Sequence, residues 1–418
     1  MSHKPIIEVS EVAGRKLLMK PLRHNEIVSL AMFSPTGSIF DPAGQAGTSQ
    51  LAQSVMVKGA GNRDARQFAE AVEDLGSSIS GSITHDFSKI SLVCSSRCFD
   101  ETLALYGDVV NSPRFADDEL EKERQLQIAD ARLSDDNQFH YTHRHFLPLL
   151  YGEHPYSQLN MGQPETIEQI TADGIRAAHQ LETQSAESII VAVGNFNSEA
   201  LVGQLEEILP PLNGEPSAAP ALSESDTVQT ERLELTKECE QAFLVSGWRL
   251  PPPSHPDYPA LRLLAAILGE GMGSRMFMQL RDEQGLAYAT GAQLVARQQA
   301  SHLVMYIGTK PERIDESLAG FKAIHQQAQR ELPTADELER ARNFVLGKFL
   351  FAHQKNSRQG HYLGYFEMMG LGWEADAKYG EQLQNVDAAK IQSVAQKYLS
   401  NQAEVVLQPI TQDAAVAT

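Results

Sequence analysis

Short blocks of apolar, β-rich residues at 27–33 and 189–194 contrast with segments 64–75 and 117–132, where apolar positions recur every three or four residues. The first pattern fits strands buried in a sheet, the second helices with one apolar face. The second half repeats this plan, with strands expected at 241–248 and 301–308 and helices at 258–268, 312–329 and 335–353. Strands grouped with helices in each half predict an α+β fold of two domains, each a mainly antiparallel sheet with helices packed on one face.

The two halves also match in detail. Residues 118–124 (DELEKER) recur as 336–342 (DELERAR), and 100–103 (DETL) as 315–318 (DESL). Ile167, Ile170, Ala172 and Ile175 recur as Leu383, Val386, Ala388 and Ile391, and Gly59, Gly61 and Arg63 as Gly271, Gly273 and Arg275. The matches keep their order at offsets of 212 to 218 residues, about half of the 418-residue chain, as a duplication requires. Between the copies, residues 210–220 (PPLNGEPSAAP) have the composition of a linker. The expected homologous domains, each of roughly 200 residues, are therefore 1–220 and 221–418.

Composition narrows the partners. With 42% apolar and 21% charged residues the chain is globular in type, and a formal charge of −19 disfavours nucleic acid and anionic membrane. Three cysteines, Cys94, Cys98 and Cys239, do not make a disulfide framework. Cys94 and Cys98 fall in one strand-like run, about 13 Å apart along an extended chain, too far for a bridge. No run of eighteen apolar residues and no apolar leader is present, so no membrane span is expected. A cytoplasmic location is the expectation, with the periplasm as the alternative if a leader has been removed.

Residues 47–59 read GTSQLAQSVMVKG. This stretch resembles the frame G-x-A-H-x-x-E-H-x-x-F-K-G of the M16 family of zinc peptidases, matching at Gly47, Lys58 and Gly59. The chemistry is missing. Gln50 and Ser54 stand at the two histidine positions and Gln53 at the general-base glutamate. A neutral amide neither takes a proton near neutrality nor competes as a zinc ligand. The family's third ligand, a Glu further along, is matched by Asp130. The resemblance thus implies no metal site and no cofactor in this chain. The other histidine group, His140, His143 and His145, offers two ligands at best on one helix face, and its neighbours Phe146, Leu147, Leu149 and Leu150 suit a core-packing helix.

Residues 269–288 read GEGMGSRMFMQLRDEQGLAY. A helix from about Ser274 to Gln284, stopped by Gly285, would put Arg281 in its last turn and Tyr288 on the next extended segment. A guanidinium and a phenol converging at such a corner are strong donors for a carbonyl oxygen that gains charge. Alternatively, Arg281 caps the helix and Tyr288 is a core aromatic. The string resembles the C-terminal hallmark of M16 peptidases, in which Arg and Tyr at the positions of Arg281 and Tyr288 reach the zinc site.

Some M16 enzymes divide the work between two chains, one with the zinc motif and one with the Arg/Tyr pair. The resemblance implies that this chain is the non-catalytic subunit of a heterodimeric M16B zinc metalloendopeptidase, similar to the mitochondrial processing peptidase, and inactive alone. Arg281 and Tyr288 would act in trans in substrate binding and oxyanion stabilisation, with zinc held by an HxxEH-bearing partner. The alternatives are a structural core subunit or a homodimeric peptide-binding protein without turnover.

Overall fold

A computed structural model describes residues 7–212, 218–223 and 232–410. Residues 213–217 of the expected linker lie outside these. The chain divides into two compact units, which are described in turn. The first comprises residues 1–132, 159–220 and 352–376, the second residues 133–158, 221–351 and 377–418.

The first unit is built on strands β1 (Glu8–Val12), β2 (Arg15–Pro21), β3 (Ile27–Ser34), β4 (Ser78–Ile83), β5 (Ser88–Ser95) and β6 (Ile189–Gly194), in the order β1-β2-β6-β3-β5-β4. Only the β2–β6 pair is parallel. One face of the sheet carries the main helical layer. There Leu30 and Met32 of β3 and Ile190 and Ala192 of β6 share a core with Leu51, Val55, Leu103 and Tyr106. The alternate residues Ala31, Phe33, Val191 and Val193 are buried as well, on the opposite face, with Leu363 and Met368. β3 and β6 are therefore apolar runs rather than alternating ones, because both faces are covered.

The helix Asn356–Met368 supplies that second cover, packing on β3 and β6. It approaches closely because it presents glycine: a Cβ on Gly364 would lie 2.3 Å from the Phe33 ring.

The second unit contains β7 (Arg232–Lys237), β8 (Ala242–Leu250), β9 (Ala289–Val295), β10 (Ser301–Thr309) and β11 (Ala403–Pro409), in the order β7-β11-β8-β10-β9, with only β7–β11 parallel. With β1 set aside, this order reproduces that of the first unit strand for strand, so the internal repeat is a repeat of topology. Leu244, Trp248, Leu303, Met305 and Ile307 face the main helical layer, which includes Leu261, Leu264, Phe321 and Ile324. The opposite face carries the helix Gln138–Tyr151, which packs on β8 and β11. Its Phe146 ring would be 2.7 Å from a Cβ on Gly247.

Two α+β units with mainly antiparallel sheets agree with the expected fold class, to which the structure adds one helix on the second face of each sheet. The units also divide between Pro220 and Ala221, but they are not the contiguous halves 1–220 and 221–418. The helix Gln138–Tyr151 lies in the first half of the sequence and belongs to the second unit, whereas Asn356–Met368 lies in the second half and belongs to the first. These two helices start 218 residues apart (356 − 138), so they are equivalent elements of the repeat, each placed on the other repeat's sheet.

Two local expectations change. The strand read through Cys98 ends at Ser95, whose hydroxyl accepts from the Arg97 amide and opens a 3-10 turn, Ser96–Cys98. The helix before Gly285 is a π-helix, Met276–Glu283.

Candidate functional site

The degenerate motif lies on the helix Thr48–Val55 of the first unit. The frame residues that survive have structural tasks. Gly47 adopts φ +101°, and a Cβ there would lie 2.6 Å from the Met161 carbonyl oxygen. Its amide donates to Asp41 Oδ2 at 2.8 Å, and Asp41 Oδ1 accepts from the Ser49 amide at 2.9 Å, closing the helix N-terminus. Lys58 pairs with Glu123 at 2.9 Å, and Gly59 has φ +105°. Gly47, Lys58 and Gly59 thus each have a structural role within this unit.

At the erased positions, Gln50 and Ser54 are half-buried, and the Ser54 hydroxyl donates back to the Gln50 carbonyl at 3.3 Å. Asp130 is exposed on the helix Asp117–Asp136. A zinc hydrolase uses about three N, O or S donors with an open position. A neutral amide, a hydroxyl and one exposed carboxylate do not fit that ion. Among the described residues no three His, Cys, Asp or Glu side chains are grouped closely enough to hold a metal.

Gln53 is buried, and its Nε2 donates to Glu182 Oε2 at 2.5 Å. Burial pushes the Glu182 carboxyl up to about 7, against the opposing effect of hydrogen bonds from Ser88 and Gln53. A Cβ on Gly81 of β4 would lie 2.1 Å from Gln53 Oε1, so bare backbone closes over the amide on that side. The base position has become half of a sealed amide–carboxyl pair. Glu182 was not singled out from the sequence, although it shares the helix face of Ile175 and His179, at the spacing 175, 179, 182 that marks a buried stripe.

The second unit presents the opposite arrangement. Arg281 lies in the last turn of Met276–Glu283 and is exposed, with its guanidinium carbon 4.9 Å from the centroid of the Phe277 ring. Tyr288 follows the corner and is 53% exposed, which excludes the core-aromatic reading. Nor does Arg281 cap the helix. That task falls to Arg313, whose Nη1 donates to the Gln284 and Gly285 carbonyls at 3.3 Å each, while Glu316 Oε2 holds its Nη2 at 2.5 Å. Gly285 turns the chain with φ +59°. Beyond it, the Leu286 amide donates to the Leu280 carbonyl at 2.8 Å, Thr309 Oγ1 donates to the Leu286 carbonyl at 2.7 Å, and the Tyr288 amide donates to the Gly308 carbonyl at 3.0 Å.

The Gly-rich turn before this helix is equally determined. A Cβ on Gly269 would lie 2.1 Å from the Ala292 amide nitrogen. Arg275 is buried and pairs with Glu337 at 2.7 Å, and Arg262 pairs with Glu270 at 2.6 Å. The backbone is thus fixed on both sides of two side chains that remain in solvent.

The histidine group is a packing feature. His143 is half-buried, stacks on Phe139, and sits 3.4 Å from His302 Nε2. Tyr151 Oη donates to the Ala300 carbonyl, so it accepts from His302 Nδ1, both at 2.9 Å. Burial, with Arg297 and His140 nearby, lowers His143 to about 4.

Comparison with known proteins agrees with this architecture. A family model described as insulinase, peptidase family M16, matches residues 18–158, and one described as the peptidase M16 inactive domain matches residues 169–345. The chain belongs to the M16 peptidase family. A protein of Rickettsia bellii named an uncharacterized zinc protease is 24% identical over 395 residues, spanning 93% of this chain and 94% of its own length. A protein of Helicobacter pylori named zinc protease PqqE is 24% identical over 322 residues, 73% of this chain and 70% of its own. Among solved structures, a peptidase M16 inactive domain from Pseudomonas fluorescens superposes with a TM-score of 0.89 at 21% identity, covering 97% of this chain and 98% of the other. Within the family, this chain is a relative whose own zinc-motif positions carry Gln50, Gln53 and Ser54. Among the described residues no helix is long and apolar enough to cross a membrane.

Proposed function

We propose that this chain is the non-catalytic subunit of a heterodimeric M16B zinc metalloendopeptidase and contributes Arg281 and Tyr288 in trans. The observation that carries this reading is that both side chains stand exposed at a corner whose backbone other residues hold, while the general-base position is sealed against Glu182. Side chains without a structural task at a rigid corner suit binding of something from outside the chain.

The metal and the general base would come from a second M16 chain with an intact HxxEH motif. Within the pair, Arg281 and Tyr288 act on the scissile carbonyl of an extended, unstructured peptide. The guanidinium N–H groups and the phenol O–H donate to the carbonyl oxygen as negative charge develops there, and they orient the peptide before that.

The test is hydrolysis of a fluorogenic unstructured peptide by this chain alone, by the HxxEH-bearing chain encoded nearest to it, and by the two mixed. Activity only in the mixture, lost with Arg281→Ala or Tyr288→Phe, is expected. A mixture of mutants as active as the native mixture overturns the trans role, and turnover by this chain alone overturns the division of labour.

A further inference from the structure

The arginines near the corner fall into two classes. Arg262 and Arg275 are engaged by Glu270 and Glu337, and Arg313 holds the corner backbone with Glu316 beside it. Arg281 differs. It is followed directly by Asp282 and Glu283 in a chain with 54 acidic against 35 basic residues, yet among the described residues no carboxylate pairs with it. Its recorded partner is the face of the Phe277 ring, one turn back on the same π-helix.

That choice of partner has a chemical consequence. A carboxylate would occupy two of the guanidinium's N–H donors in a fork and would neutralise its charge. An aromatic ring touches the flat face of the guanidinium, so the donors at its edge stay free and the charge stays available. The ring also restricts a side chain that would otherwise sample many rotamers in solvent, which lowers the cost of aligning its donors with a carbonyl oxygen as charge develops there.

We infer that Phe277 is a positioning residue: its ring holds the Arg281 guanidinium over the exposed face of the Met276–Glu283 helix with its donors free for a peptide carbonyl. This inference rests on the trans role proposed above and adds the residue that prepares Arg281 for it.

The experiment uses the full chain mixed with the HxxEH-bearing chain and the same fluorogenic peptide, comparing Phe277→Leu, Phe277→Tyr, Arg281→Ala and the double variant Phe277→Leu/Arg281→Ala. A cation–π contact at an exposed site corresponds to a roughly two- to fivefold effect. Phe277→Leu is expected to lower kcat by about that factor with KM unchanged, because the lost preorganisation matters where charge develops. Phe277→Tyr keeps a ring and should retain native kcat. In the Arg281→Ala background, Phe277→Leu should cost nothing further. Native kcat in Phe277→Leu, an equal loss in Phe277→Tyr, a change in KM alone, or a further full loss in the double variant would each overturn the inference. If Arg281→Ala is itself fully active, the trans role falls and this inference with it; if Arg281→Ala is impaired and Phe277→Leu is not, only this inference falls. Thermal unfolding of each variant separates loss of fold from loss of positioning.

Discussion

The helix Thr48–Val55 and the corner from Met276 to Tyr288 both resemble M16 motifs in sequence, and they dispose of their polar groups in opposite ways. In the first, Gln53 is buried, hydrogen-bonded to Glu182 and closed over by the backbone of Gly81. In the second, Arg281 and Tyr288 point into solvent while Arg313, Thr309 and Gly308 hold the backbone beneath them. The amide and carboxyl sealed inward are committed to each other and are closed to anything outside the fold. A polar side chain left exposed on a rigid frame is satisfied by water until something displaces it. The retained frame residues Gly47, Lys58 and Gly59 show that motif identity alone does not separate these cases, because each has a folding task.

The largest effect expected to sharpen this contrast is on turnover. Arg281→Ala in the proposed pair should lower kcat by about 100-fold or more, as removal of a charge-stabilising donor typically does. Gln53→Ala should leave kcat of the pair within a few-fold of native, about 1 kcal/mol or less in barrier; steady-state kinetics on the same peptide compare the two.

The second effect is on stability against pH, and it concerns Glu182, faced by Gln53, Ser88 and Tyr106. Its carboxyl lies above the usual range, at about 7, so the folded chain keeps a proton that the unfolded chain has already released. The stability this supplies is complete below the unfolded carboxyl's own range and is lost as pH rises to about 7, by about 3 kcal/mol. Glu182→Gln should flatten this fall, measured as the urea midpoint between pH 5 and 8. His143, lowered to about 4, acts with the opposite sign, supporting the second unit above the ordinary imidazole range and losing that support as pH falls towards 4. An unchanged slope in Glu182→Gln would show that the carboxyl is solvated.

A smaller effect comes from restoring the family's carboxylate. Gln53→Glu places a second buried carboxyl against Glu182, which should destabilise the chain by about 2 kcal/mol at pH 8 and less at pH 5, where one shared proton suffices. Glu182→Gln in the same chain should recover most of the loss. The smallest effect is at the corner. Gly285 has φ +59° and open space where a Cβ would stand, so Gly285→Ala should cost about 1 kcal/mol from backbone strain alone. Circular dichroism during thermal unfolding would register it.

Much of the fold was legible because it rests on periodicity. The apolar runs at 27–33 and 189–194 are strands, and the repeat of residues 118–124 at 336–342 marks equivalent helices in two units of the same strand order. The positions of Arg281 and Tyr288 on either side of a glycine turn were legible too, since Gly285 is the residue that a left-handed helix stop favours. Glu182 was not singled out: its spacing with Ile175 and His179 marks a buried face, but its partner Gln53 lies 129 residues away in the chain. Arg313 escaped for the same reason: the carbonyls it holds lie 28 and 29 residues away in the chain.

The order of residues along the chain thus set the elements, the duplication and the corner string, which are legible as local periodicity or as the recurrence of short strings. Which sheet each second-face helix covers was decided only by tertiary packing. On β8 and β11 the helix Gln138–Tyr151 sets Phe146 against a bare Gly247, and on β3 and β6 the helix Asn356–Met368 sets Gly364 against Phe33. Such steric fits are made between distant residues, and no periodicity along the chain records them.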